Sequence, residues 1–90
     1  MKILNLTLKK KWFDEILAGT KNTEYREIKP YWTKRLLNKD GTPIKYDLIY
    51  FRNGYSKDCR KMIVEYKGLN ISKEYEILLG NINKTLTEPF

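Results

Sequence analysis

The feature that most constrains this fold is a change of apolar period within the first twenty residues. Leu4, Leu6 and Leu8 alternate with Asn5 and Thr7, the period of a half-buried strand over 3–8. Over 9–18 the apolar residues regroup: Trp12, Phe13, Ile16 and Leu17 fall on one helical stripe, while Lys10, Lys11, Asp14 and Glu15 face away. A core role is expected for Trp12 on that stripe, and Gly19 stands where a helix C-terminal cap belongs. A strand and a helix with one apolar face each must bury those faces together. In a chain of 90 residues there is room for one small core and one domain.

The remaining chain continues in short extended runs. Residues 21–28 are rich in Thr and Tyr and end at Pro30, which also holds Lys29 extended. Tyr31, Trp32, Leu36 and Leu37 have the spacing of a short helix over 31–37, and Asp40-Gly41 marks the turn after it. Strands are expected over 46–51, 61–69 and 75–82, with a polar loop over 52–60 that bends at Asn53-Gly54. Five strands and one or two short helices predict an α+β chain, a small, mostly antiparallel β-barrel. The domain is expected to cover 1–83, with 84–90 as a tail that shows no period.

Composition narrows the chemistry. Eighteen Lys and Arg against eleven Asp and Glu leave a net charge of +7, which suits an anionic partner and also suits simple solubility. There is no histidine and one cysteine, Cys59, so neither an intramolecular disulfide nor a structural zinc site is expected, and nothing calls for a cofactor. Met1 to Leu8 lacks the long apolar core of a signal peptide, and no run reaches membrane-spanning length. The cytoplasm is the expected compartment, with no membrane partner.

The segment Gly19-Thr20-Lys21-Asn22-Thr23-Glu24-Tyr25-Arg26 carries most of the functional information. Gly19 turns the chain out of the helix, and Lys21 then projects at the mouth of whatever cleft separates helix from strand. Glu24 and Arg26 are two apart on a strand and share a face. An acid between two bases can hold both cationic heads while leaving some donors free for a phosphate or carbonyl. The same pattern can also be a surface ion-pair ladder of little energetic weight.

Gly19, Lys21, Glu24 and Arg26 occupy all four fixed positions of the glycine-x-lysine-x-x-glutamate-x-arginine signature of the ASCH family, and the chain resembles small stand-alone ASCH proteins over roughly 2–82. The order of elements and the Arg52-Asn53-Gly54-Tyr55 loop are similar as well. The resemblance implies a PUA-like barrel whose cleft, lined by the signature residues, binds RNA or a nucleoside. Some members of the family remove the acetyl group from acetylcytidine and others cleave RNA. The amidohydrolase branch uses a lysine that matches Lys21, but it has a threonine nucleophile where this chain has Glu24. The adjacent Thr23 points to the opposite strand face and cannot stand in for it. That branch also takes an acid from a helical insertion, for which the connection between Leu69 and Tyr75 has no room.

Other residues can support such a cleft. Arg52 could clamp a phosphate, Asn53 could read a base edge and Tyr55 could stack on a base; Asn53-Gly54 also satisfies a plain hairpin bend. Trp32 is open between stacking on a ligand and packing its helix, and Lys9, Lys10 and Lys11 form a basic patch. Glu65 is expected on the solvent face of its strand, and Cys59 has no base beside it to complete a nucleophile pair. Three functional readings follow. The first is a module that binds RNA or a modified nucleoside through Gly19, Lys21, Glu24, Arg26, Trp32, Arg52, Asn53 and Tyr55. The second is a metal-independent hydrolase of RNA or nucleosides with Lys21 and Glu24 as its catalytic pair. The third is an accessory domain for a protein partner. If the ligand is RNA, affinity should fall steeply as salt rises, because many cations and few base-reading side chains are available. Titrations at low and high ionic strength that give equal affinity for an RNA would contradict this, whereas a neutral nucleoside should show little salt dependence.

Overall fold

The computed structural model describes residues 1–86. The elements run β1 (Ile3–Thr7), α1 (Lys10–Leu17), β2 (Thr23–Arg26), α2 (Pro30–Leu36), β3 (Leu48–Arg52), β4 (Lys61–Ile71) and β5 (Tyr75–Leu86). Pro30 opens α2 because its missing N–H is not needed in the first turn and its φ is already helical. Among the described residues, no helix is long and apolar enough to cross a membrane.

All five strands form one sheet in the order β1-β3-β4-β5-β2. Three of its pairings are antiparallel, as expected, but β1 runs parallel to β3, with Leu4 opposite Ile49 and Leu6 opposite Phe51. The sheet is therefore mixed. It curls without closing: β1 and β2 are its two outer strands and share no ladder, so the molecule is a half-barrel with two helices rather than a closed barrel. Bulges between β4 and β5 supply bending. Val64 pairs with Ile82 but Tyr66 with Leu79, and Gly68 follows with Leu78, so the count of residues differs on the two strands. β5 runs on to Leu86, past Ile82 where the apolar period stops, because it stays paired with β4 there, Lys61 opposite Leu86 and Met62 opposite Thr85.

The core fills the concave side of this sheet. Leu4, Leu6 and Leu8 from the first strand region meet Ile49 and Phe51, Met62 and Val64, and Tyr75 and Ile77, while Phe13 and Ile16 of α1 and Leu36 of α2 cover them. Fully burying side chains of this size contributes roughly 1.5–3 kcal/mol each, and that apolar layer holds the helices on the sheet. The Thr33 hydroxyl lies 2.6 Å from the Tyr75 hydroxyl and ties α2 to β5. Asp14 accepts from Lys10 and from Arg60 at 2.7 Å, joining α1 to the loop before β4. The Lys10 hydrogen bond first and the Arg60 bond second hold the Asp14 carboxyl below its ordinary range. This brace is complete above the ordinary carboxyl range and is lost as pH falls through the lowered value.

Trp12 departs from the expected core role. It is 38% exposed, because Phe13 and Ile16 take the centre of the buried stripe and leave Trp12 on its flank. Glu65 lies outside the core, 3.4 Å from Lys67, and its carboxylate rests across Gly80. A methyl group at Gly80 would collide with the Glu65 carboxylate. Gly80→Ala should therefore destabilise the fold by about 1–3 kcal/mol in urea denaturation, and by less when Glu65 is already alanine. Equal losses in the two backgrounds would show that the two positions are not coupled.

Candidate functional site

The site begins with the end of α1. Gly19 has φ of +81°, and its N–H reaches the Ile16 carbonyl at 3.0 Å while the Thr20 N–H reaches the Glu15 carbonyl at 3.0 Å. This is the paired closure that a left-handed residue allows at a helix C-terminus. The Lys21 N–H and the Thr20 hydroxyl also donate to the Glu15 carbonyl, each at 3.1 Å. The Glu15 carbonyl thus gathers three of these four hydrogen bonds, and Lys21 leaves the turn toward β2.

On β2, Glu24 lies opposite Ile77 and Arg26 opposite Tyr75, so both charged side chains share the concave face with the core. Glu24 is only 5% exposed. Its Oε2 accepts from Arg26 Nε at 2.9 Å and from Nη2 at 2.6 Å, and its Oε1 lies 3.5 Å from Lys21 Nζ. The Lys21 and Arg26 side chains are 12% and 16% exposed, so this is a largely desolvated triad, not a surface ladder. Arg26 Nη2 also donates to the Thr7 carbonyl at 3.0 Å, crossing the gap between the outer strands. No hydrogen bond is made by Arg26 Nη1 among the described residues.

Aromatic rings hold both cations. The Lys21 ammonium sits 5.0 Å from the Trp12 ring centre and 4.9 Å from that of Tyr25. The Arg26 guanidinium lies 4.7 Å over Trp32, which makes an edge-to-face contact with Tyr31. A cleft of about 470 Å³ contains the Arg26–Glu24 pair in its lining, together with Lys9, Trp12 of α1, Trp32 of α2 and Glu74. Its lining holds the cations Lys9 and Arg26 and the carboxylates Glu24, Glu27 and Glu74. The chain is strongly basic, but this cleft is not.

The expected site residues separate into two groups. Lys21, Glu24, Arg26 and Trp32 come together, and Tyr55 reaches the same side of the molecule, in a neighbouring hollow that also contains Arg26 and Trp32. Lys21 and Glu24 are neighbours, as expected, although Lys21 lines a smaller hollow next to the main cleft, behind Trp12 and Tyr25. Gly19 shapes the turn. Arg52 and Asn53 brace their own loop: Arg52 Nη2 donates to the Ser56 carbonyl at 3.2 Å, and Asn53 Nδ2 donates to the Leu8 carbonyl at 3.1 Å while its Oδ1 accepts from Arg60 at 3.2 Å. Cys59 donates to the Gly54 carbonyl. Sequence reasoning missed Trp12 and Tyr25 as site residues. The signal for Trp12 was the width of its stripe: Trp12, Phe13, Ile16 and Leu17 span about 140° of the helix, and the two at its flanks, Trp12 and Leu17, are the exposed ones.

Among the described residues, no group of three or more His, Cys, Asp or Glu side chains could hold a metal ion. Glu24 is the hub of the triad, so Glu24→Gln should cost about 3 kcal/mol of stability, more than Lys21→Met, because it leaves two desolvated cations without their counter-charge. Urea denaturation of the two variants checks this, and equal costs would remove Glu24 from the centre of the arrangement. Comparison with family models, curated proteins and solved structures finds no match to this chain.

Proposed function

We propose that this chain is an ASCH-type domain, its half-barrel a small variant of the PUA-like barrel, and that the cleft between α1 and α2 binds a nucleobase of RNA or of a free modified nucleoside. The observation that carries this reading is the buried Arg26–Glu24 pair on the cleft floor, with Arg26 Nη1 unused and tryptophans on two sides. A guanidinium fixed in orientation donates well to the carbonyl or ring nitrogen of a base edge. Indole rings offer a stacking surface that any base can use. Signature spacing supports the same reading, since Lys21, Glu24 and Arg26 meet in space as well as in sequence.

The charge distribution says which part of the ligand belongs inside. Three carboxylates in the lining oppose the entry of a bare phosphate, while an uncharged base with both donors and acceptors suits a mixed wall. The surplus positive charge lies elsewhere, including Lys10 and Lys11 beside the cleft, where it can attract an RNA backbone. Lys21, enclosed by Trp12, Tyr25 and Glu24, serves this reading better as a structural cation than as a proton carrier.

Calorimetric titration with plain, methylated and acetylated nucleosides and with short RNAs, followed by analysis for product, tests the proposal. Binding without turnover is expected. Trp12→Ala should weaken it by about fivefold or more, the lower end for losing one base–aromatic stack. Product formation would bring the hydrolase reading forward, and Lys21→Ala should then lower turnover by about a hundredfold while Cys59→Ser leaves it intact. If no nucleoside or RNA binds, the cleft has another purpose and a protein partner becomes the better reading.

A further inference from the structure

Arg26 and Trp32 line more than the main cleft. On their other side lies a second hollow of about 460 Å³, bordered by Asn5 and Thr7 of the outer strand β1, by Lys29 and Tyr31, and by Tyr55 from the β3–β4 loop. The two hollows share Thr7, Arg26, Glu27 and Trp32, so they form one groove with a saddle of guanidinium stacked on indole. Both volumes fall within the range of small-ligand sites, roughly 300–1,000 Å³.

The halves are alike in kind. The first has Trp12 and Lys9, and the second has Tyr55 and Lys29, an exposed ring and a cation in each. Tyr55 is 88% exposed, so its ring is open to a stacking base. At the saddle, Arg26 spends Nε and Nη2 on Glu24 and Thr7 and keeps Nη1. Glu27, also in the shared wall, is paired with Lys29 at 3.1 Å, which offsets its repulsion of an anion there.

Building on the nucleobase reading, we infer that the groove takes two successive nucleotides of a single strand, one base in each hollow, with the linking phosphate over the Arg26 saddle. Rings that stack on bases and cations that follow the backbone are the general means of holding single strands. The ligand class is therefore an oligonucleotide with a charged linkage, and a free nucleoside occupies only half of the site. Joining the two contacts in one molecule raises affinity without adding a new contact.

The test compares dissociation constants, by calorimetry on the full chain, for a nucleoside, the matching dinucleotide and a dinucleotide with an uncharged methylphosphonate linkage. The dinucleotide should bind about tenfold or more tighter than the nucleoside, and the uncharged linkage should forfeit much of that gain. Tyr55→Ala and Lys29→Ala alter exposed side chains and should leave thermal unfolding in place, while each shrinks the dinucleotide's advantage by about fivefold. A nucleoside that binds as tightly as the dinucleotide, or an advantage untouched by Tyr55→Ala, overturns the two-nucleotide groove and leaves the single-base site standing. Absence of binding by all three ligands overturns the nucleobase reading itself.

Discussion

Arg26 spans the opening of a sheet that does not close. The curl of five strands leaves β1 and β2 as outer edges, and no backbone ladder joins them. The contact from Arg26 Nη2 to the Thr7 carbonyl is a hydrogen bond across that gap, made by a side chain rooted on one edge to the main chain of the other. A guanidinium carried into this largely desolvated position needs a counter-charge, and Glu24 supplies it in a two-point contact that fixes the plane of the group. Lys21 is drawn to the other oxygen of Glu24 and is held by rings in turn. Lys21, Glu24 and Arg26 thus brace the opening and leave Arg26 Nη1 without a hydrogen bond among the described residues.

That arrangement accounts for the character of the cleft. Rings line it because they seat the cations: Lys11 and Lys21 lie over Trp12 and Arg26 over Trp32, and Trp12 is still 38% exposed. Glu24 lines it as the counter-charge of two largely buried cations, whereas Glu27 pairs with the exposed Lys29. What remains is a mixed, aromatic concavity on a basic molecule, better matched to a base than to a phosphate. On the proposed reading, the long-range attraction of the net charge of +7 and the local preference of the cleft act on different parts of one RNA.

Much of this was readable from residue types and spacing. Leu4, Leu6 and Leu8 alternate and are buried, Phe13 and Ile16 mark the inner face of α1, and the two-residue spacing of Glu24 and Arg26 places them together. Signals that depend on distant partners were not readable. Nothing local in Ile3–Thr7 tells it to run parallel to β3, and the polar run 83–85 shows no strand period although its pairing with β4 makes it strand. Trp12 was assigned to the wrong environment because a stripe four residues wide cannot all face a core this small. Asn53 has the chemistry of a base reader, but its amide is used on Leu8 and Arg60, contacts that only the folded loop creates.

The chain has two tryptophans, Trp12 on α1 and Trp32 on α2, and both line the main cleft. Each gives one indole N–H resonance in a proton–nitrogen correlation spectrum, assignable by Trp→Phe substitution. Titration of the labelled protein with a nucleoside or short RNA therefore reports directly on whether a base enters between them. The account predicts that both indole resonances shift together and saturate with the same dissociation constant. Saturation by a bound ligand with both resonances unmoved would contradict it.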